Sequence, residues 1–243
     1  MKVSPRTQTL IGLVLLSTSA AQAADNPRTP DFGPNVAVFS PKTPVTEIQA
    51  QIDKVYAVQQ HNQFGKERNA FLFLPGEYKV DVPIGFYTEV VGLGATPDST
   101  HITGNVRSEA ASRNDNATTT FWKAIEGLAV TPANGQMLWA VSQAVPFRRM
   151  HIKGDIVLNQ NKGWASGGWM SDTVVDGKVN SGTQQQWISR NSEWGSWTGS
   201  NWNMVFVGVP QAPIGDWPEP PYTRIEKTPI VREKPFLIAD AEL

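Results

Sequence analysis

Apolar residues recur in two different rhythms along this chain. Val45, Ile48, Ile52 and Val55 return every three or four positions, the spacing that puts them on one side of a helix. Thr43 is placed to cap that helix and Pro44 suits its first turn, so one α-helix is predicted over about 44–60. Beyond Gly65 the rhythm changes to short apolar runs broken by Gly, Pro, Asn and Asp: Phe71 to Leu74, Glu89 to Leu93, Gly127 to Val130, Trp139 to Ser142, Asp155 to Leu158 and Met204 to Val207. Runs of this length between turn-forming residues predict strands, and make the chain all-β apart from its one helix.

Two architectures accommodate many short strands, a sandwich or barrel of hairpins and a parallel β-helix of stacked coils. Hairpins favour two-residue Asn-Gly or Asp-Gly turns, and Asp176-Gly177 is the one good example. The strands instead share an apolar-x-Gly ending. Segments near residues 91, 128, 151, 172 and 188 are spaced like the coils of a β-helix in which one coil carries an inserted loop. The expected fold is therefore a parallel β-helix, with the helix over 44–60 covering the strand edges and apolar core at its open first coil.

The two ends of the chain read differently. Lys2 and Arg6 precede the apolar stretch Leu10 to Leu16, and Ala21-Gln22-Ala23 supplies a small-x-small cleavage site, so residues 1–23 are predicted to be a secretory signal peptide. The apolar stretch is too short to span a bilayer. The expectation is a secreted or periplasmic protein, starting near Ala24, with no membrane partner after cleavage. The β-helix domain is expected over 24–217. From Pro218 onward Pro220, Pro221, Pro229 and Pro235 interrupt the coil pattern, and 218–243 is predicted to be a linker leading to a second module.

Composition narrows the chemistry. With 21 basic and 22 acidic residues the chain has no field to gather phosphate backbones, so no nucleic-acid partner is expected. There is no cysteine, and His61, His101 and His151 have no close ligand partner in sequence; neither a metal nor a cofactor is expected. Gly92-x-Gly94 lacks the third glycine of a dinucleotide loop, and Ser166 is not in a nucleophile-elbow spacing.

What stands out is nine Trp, with a dense region over 139–203 that mixes them with amides and hydroxyls. Flat apolar faces plus fixed donors and acceptors are what an uncharged sugar needs, so a polysaccharide is the expected partner. The candidate binding residues are Gln186, Arg190, Trp164, Trp169, Trp194, Trp197 and Asn203. Gln143 and Gln186 stand out because a glutamine within an apolar strand must find partners if buried. Trp139 and Trp187 lie within strand patterns and read as core. Asn191 and Ser192 read as turn-stabilising, and Arg148-Arg149 as a solvated or carboxylate-paired face. Glu193 is the carboxylate expected in the groove.

Several segments carry a resemblance: Phe32-Gly33-Pro34-Asn35-Val36, Asn62-Gln63-Phe64-Gly65, Leu74-Pro75-Gly76-Glu77-Tyr78, Gly85 to Gly94, Ala140 to Ala144, Gln184 to Trp187 and Arg232 to Phe236. Together they resemble the N-terminal half of secreted bacterial proteins related to glycoside hydrolase family 55, the laminarinase-type exo-β-1,3-glucanases. That resemblance implies two tandem right-handed, pectin-lyase-like β-helices, an inverting reaction and a β-1,3-glucan substrate. It also implies a general acid carried by the second β-helix, with polar side chains of the first holding the attacking water. By position Gln143 and Ser166 resemble those water-holding residues, and the second β-helix becomes an expected partner. Glu193 is the carboxylate left to act in its place. Two other readings stay open: a non-catalytic glycan-binding or surface module, and a polysaccharide lyase of the pectate type, whose clustered carboxylates are not seen here.

Overall fold

The computed structural model describes residues 30–239. The predicted signal peptide, 1–23, lies outside them.

Every strand pairing among the described residues is parallel, with successive coils stacked on one another. One sheet has nine strands in simple chain order: Val36–Phe39, Asn69–Phe73, Thr88–Gly92, Lys123–Glu126, Pro146–Arg148, Trp169–Ser171, Gln186–Arg190, Asn203–Val207 and Tyr222–Ile225. A second, eight-stranded sheet takes the other side of each coil, from Gly76–Tyr78 to Glu193–Thr198. This is a parallel β-helix, as the strand pattern predicts.

Period-two alternation on stacked strands builds the interior. Phe71, Val90, Ile125, Phe147, Met170, Ser189 and Phe206 stand level in successive coils and are all buried. Ser189 is the polar member of this row, and its Oγ accepts the indole N–H of the buried Trp187 at 3.1 Å. One step outward the matched row runs Leu72, Val91, Glu126, Arg148, Ser171, Arg190, Val207 and Ile225. The equivalence read from the apolar-x-Gly endings, near 91, 128, 151, 172 and 188, is thus shifted by two or three residues in several coils. Those endings mark corners, whereas the inward row sets the register.

The helix spans Val45–Gln59 and buries Ile48 and Ile52 over the first coils. Val45, expected on the same face, is half exposed. Pro44 occupies the cap position, while the Thr43 hydroxyl accepts the Ser40 N–H at 3.2 Å rather than a helical amide. At the other helix end Gln59 is buried and its Nε2 donates to Phe86 O at 2.9 Å, fastening the helix to the start of the third strand.

The tryptophans of the strand Glu193–Thr198 also take part in the interior. Trp194 and Trp197, expected as sugar platforms, have ring centroids 5.0 Å apart and are buried with Phe206. Their indole N–H groups donate to Gln211 O at 3.2 Å and Gly199 O at 2.9 Å. Glu193–Thr198 is the last described strand of the second sheet, and its two rings fill the space beneath the strands by which the long sheet continues. Trp139 and Trp187 are core, as read from the sequence.

Residues 218–225 continue the β-helix, since Tyr222–Ile225 is its ninth strand in the long sheet. The chain then runs back along the outer face of that sheet. Arg148 donates to Lys234 O at 3.0 and 2.9 Å, Lys234 pairs with Glu126 at 2.9 Å, Arg190 pairs with Glu233, and Ala239 N donates to Leu93 O at 2.8 Å. Of the prolines expected to mark a linker, Pro218, Pro220 and Pro221 lead into the ninth strand, and Pro229 and Pro235 follow it in a strap laid over the sheet. Pro lacks the N–H that a central strand needs, and an edge or a covering segment tolerates that loss.

Candidate functional site

Gln143 and Ser166 come from adjacent coils, bridged in parallel at Ser142 and Ser166. Gln143 Nε2 donates to Ser166 Oγ at 3.1 Å, and Ser142 Oγ lies 3.1 Å from Ser166 O. Gly167 follows at φ +93°, a left-handed corner where glycine is unstrained. A Cβ there would sit 3.3 Å from Gln186 Cγ and 3.5 Å from Gln143 Cγ, so the two glutamines flank it. At Gly168 a Cβ would fall 2.1 Å from the Trp187 ring. Two side chains are thus missing where the coil corner meets solvent, and a shallow depression of about 250 Å³ results. It is lined by Gln143, Gly167, Gly168, Gln186, Trp187, Ile188, Asn203 and Val205.

Sequence reading missed Gln184, which holds this corner from inside. It is fully buried; its Oε1 accepts the Gly167 N–H at 2.8 Å and its Nε2 donates to Val141 O and Leu158 O, both at 3.0 Å. The signal was the unbroken run Gln184-Gln185-Gln186 just before the strand Gln186–Arg190: strand alternation would put Gln184 and Gln186 on one face, and the corner between them turns the first inward and leaves the second exposed.

Of the residues expected to share a groove, Gln143, Ser166 and Gln186 come together, and Asn203 lines the same depression. Arg190 and Trp169 sit farther along the same sheet, the guanidinium 5.1 Å from the Trp169 ring centroid, and Arg190 is engaged by Glu233 of the strap. Trp164 is exposed in the loop just before Ser166. Glu193 is not in this depression: it starts the last strand of the second sheet, level with Val174. Adjacent in sequence to the Arg190 strand, it has passed the corner at Asn191 (φ +46°) and turned onto another side of the body.

Chemically, the lining offers amides, a hydroxyl and apolar surface. Such groups orient water and sugar hydroxyls by donating and accepting hydrogen bonds, but they neither take nor give a proton near neutrality. None of the side chains lining the depression carries a carboxyl group.

No protein-family model matches the chain. It is 50% identical over 214 residues to an exo-beta-1,3-glucanase of Streptomyces sp. SirexAA-E, a match covering 87% of this chain and 35% of that protein. The solved structure of sacteLam55A from the same organism superimposes with a TM-score of 0.84 at 50% identity, over 88% of this chain and 39% of that one. A variant of sacteLam55A in complex with glucose gives a TM-score of 0.85 with the same identity and coverage. The resemblance read from the sequence is borne out at this level. The chain spans little more than a third of the proteins it matches, which fits an N-terminal half.

Proposed function

We propose that this chain is the exported, glucan-binding and water-positioning half of an inverting exo-β-1,3-glucan hydrolase. The observation that carries this reading is the hydrogen-bonded pair Gln143–Ser166, opening on a depression with Gln186 and Asn203, in a chain 50% identical to an exo-beta-1,3-glucanase. Inversion needs an acid on one face of the sugar and an activated water on the other, with carboxyl groups about 6.5–9.5 Å apart. The amide of Gln143 and the hydroxyl of Ser166 suit holding that water without taking its proton, so a second β-helix is the source of both the acid and the carboxylate base.

The test is a paired measurement on laminarin. The purified chain should bind it yet release no reducing sugar at a glycosidase rate, because general acid catalysis contributes about 10²–10⁴ in rate. In a chimera that joins this chain to the remaining part of the relative, Ser166→Ala should reduce kcat more than binding. Ordinary turnover by the chain alone would overturn the half-enzyme reading. The absence of carboxyl groups from the depression favours one second reading, a glycan-binding module with no catalytic role; it would be preferred if that variant retained full kcat.

A further inference from the structure

The corner that carries Gly167 and Gln186 repeats in every coil of the long sheet. Strand register places Arg68, Tyr87, Trp122, Ala144, Gly167 and Gln186 in one row along it, each residue preceding the inward position of its strand. At one end of the row the side chains form a stack. The Arg68 guanidinium lies 3.7 Å from the Tyr87 ring centroid, and the Tyr87 and Trp122 rings are 5.2 Å apart and within 8° of parallel. Tyr87 is covered on both faces. Trp122 is covered by Tyr87 on one face, has the Phe121 ring tilted at 50° with its centroid 5.4 Å away, and remains 39% exposed.

The corner does not demand aromatic residues. Tyr87 and Trp122 both have φ +53°, a left-handed conformation that is strained for bulky side chains, and Gly167 shows that the same corner accepts glycine. Beyond Trp122 the row shrinks to Ala144 and then Gly167. Coils repeat at about 4.8 Å, so the row itself holds no large side chain over roughly 10 Å, and Gln143 reaches in only at Gly167. The open surface there is a depression of about 550 Å³ lined by Arg68, Tyr87, Glu89, Trp122 and Ala144, ending where the Gln143 depression begins.

We propose that Trp122, backed by Tyr87 and Arg68, is a stacking platform for a further glucosyl unit of the same β-1,3-glucan chain, one coil or two from Gln143. This rests on reading the Gln143–Ser166–Gln186 depression as a glucan site. A β-glucopyranose ring, with its hydroxyls equatorial, presents a flat C–H face to the indole and needs about 4 Å of clearance, less than the small residues leave. Glu89 and Arg68 line the same depression as acceptor and donor for its hydroxyls. The platform therefore selects chains long enough to reach from Gln186 to Trp122.

Calorimetric titration with linear β-1,3-gluco-oligosaccharides, from disaccharide to hexasaccharide, tests this on the purified chain. Affinity should rise with length. Trp122→Ala should weaken binding of the longest oligosaccharides about five- to tenfold, a stacking contribution of ordinary size, and leave the disaccharide unchanged. Trp122→Phe should recover part of the loss, and Trp122→Gly, which relieves the backbone strain, should lose affinity while keeping or gaining thermal stability. Gln186→Ala should weaken every length. The platform is overturned, with the glucan site intact, if Trp122→Ala binds all lengths as the unmodified chain does while Gln186→Ala weakens them. If the unmodified chain binds none of them, the platform and the site it extends both fall.

Discussion

The side-chain oxygen of Gln184 accepts the backbone N–H of Gly167 at 2.8 Å, from inside the β-helix and directly behind the surface on which Gln143 and Gln186 meet. One buried amide thus fixes the corner that shapes the candidate site. It makes three hydrogen bonds, to two other coils as well as to Gly167, so it also ties the stack together.

Gln184→Ala should lower stability by about 2–4 kcal/mol, since it leaves Gly167 N, Val141 O and Leu158 O without partners and opens a cavity. Denaturant unfolding checks this. A loss within about 0.5 kcal/mol, the range of surface substitutions, would show that the amide does not hold the corner.

Lys123 is buried beside Phe86, its Nζ donating to Ile84 O at 2.6 Å and Ser108 Oγ at 3.1 Å. Burial pushes its pKa down to about 7, against a partly compensating field from Glu109. Between that value and the ordinary lysine range the unfolded chain binds more protons than the folded one, so this group makes stability rise with pH over that window. Lys123→Met should therefore stabilise the protein most below pH 7, with the advantage shrinking toward pH 10. Urea midpoints across that range decide it, and a pH-independent difference would contradict the assignment.

His151 faces carboxylates with both ring nitrogens, Nδ1 2.9 Å from Asp98 and Nε2 3.0 Å from Asp176, while Lys153 reaches Asp98 at 3.0 Å. Only the imidazolium can donate at both nitrogens. Burial pulls its pKa down, but the bonds to Asp98 and Asp176 outweigh that and leave it raised. Its contribution is thus present in full below the unfolded value of about 6.5 and lost as pH rises through the folded pKa. His151→Ala should lower the melting temperature at pH 5.5 and matter little at pH 9; an equal effect at both would refute the linkage.

Arg148 and Glu126 are paired at 3.2 Å under the C-terminal strap, both nearly buried. Arg148→Leu leaves Glu126 with Lys234 alone and frees the Lys234 carbonyl, so it should destabilise by about 3 kcal/mol. Hydrogen exchange should show residues 233–239 losing protection together. Unchanged protection there would mean that other contacts hold the strap.

Period and punctuation determined much of this protein before any coordinates. The switch from a helical to a strand rhythm after Gly65, and the scarcity of hairpin turns, point to stacked coils with one helix, because side-chain alternation and turn chemistry act over a few residues and are written locally. The resemblance carried Gln143 and Ser166, which do meet at 3.1 Å. Only the tertiary structure decided which strand residues share a level. Register follows from how the inward row of Phe71, Val90, Ile125, Phe147 and Met170 packs, a constraint summed over many coils, and a shift of two residues preserves alternation while exchanging neighbours. Glu193, three residues from Arg190 in sequence, therefore lies on another sheet, whereas Trp122 and Gln186, far apart in sequence, occupy one corner. Burial was settled in the same way: Trp194 and Trp197 sit among Gly and Ser in the sequence, yet on the last described strand of the second sheet they turn inward and pack against Phe206.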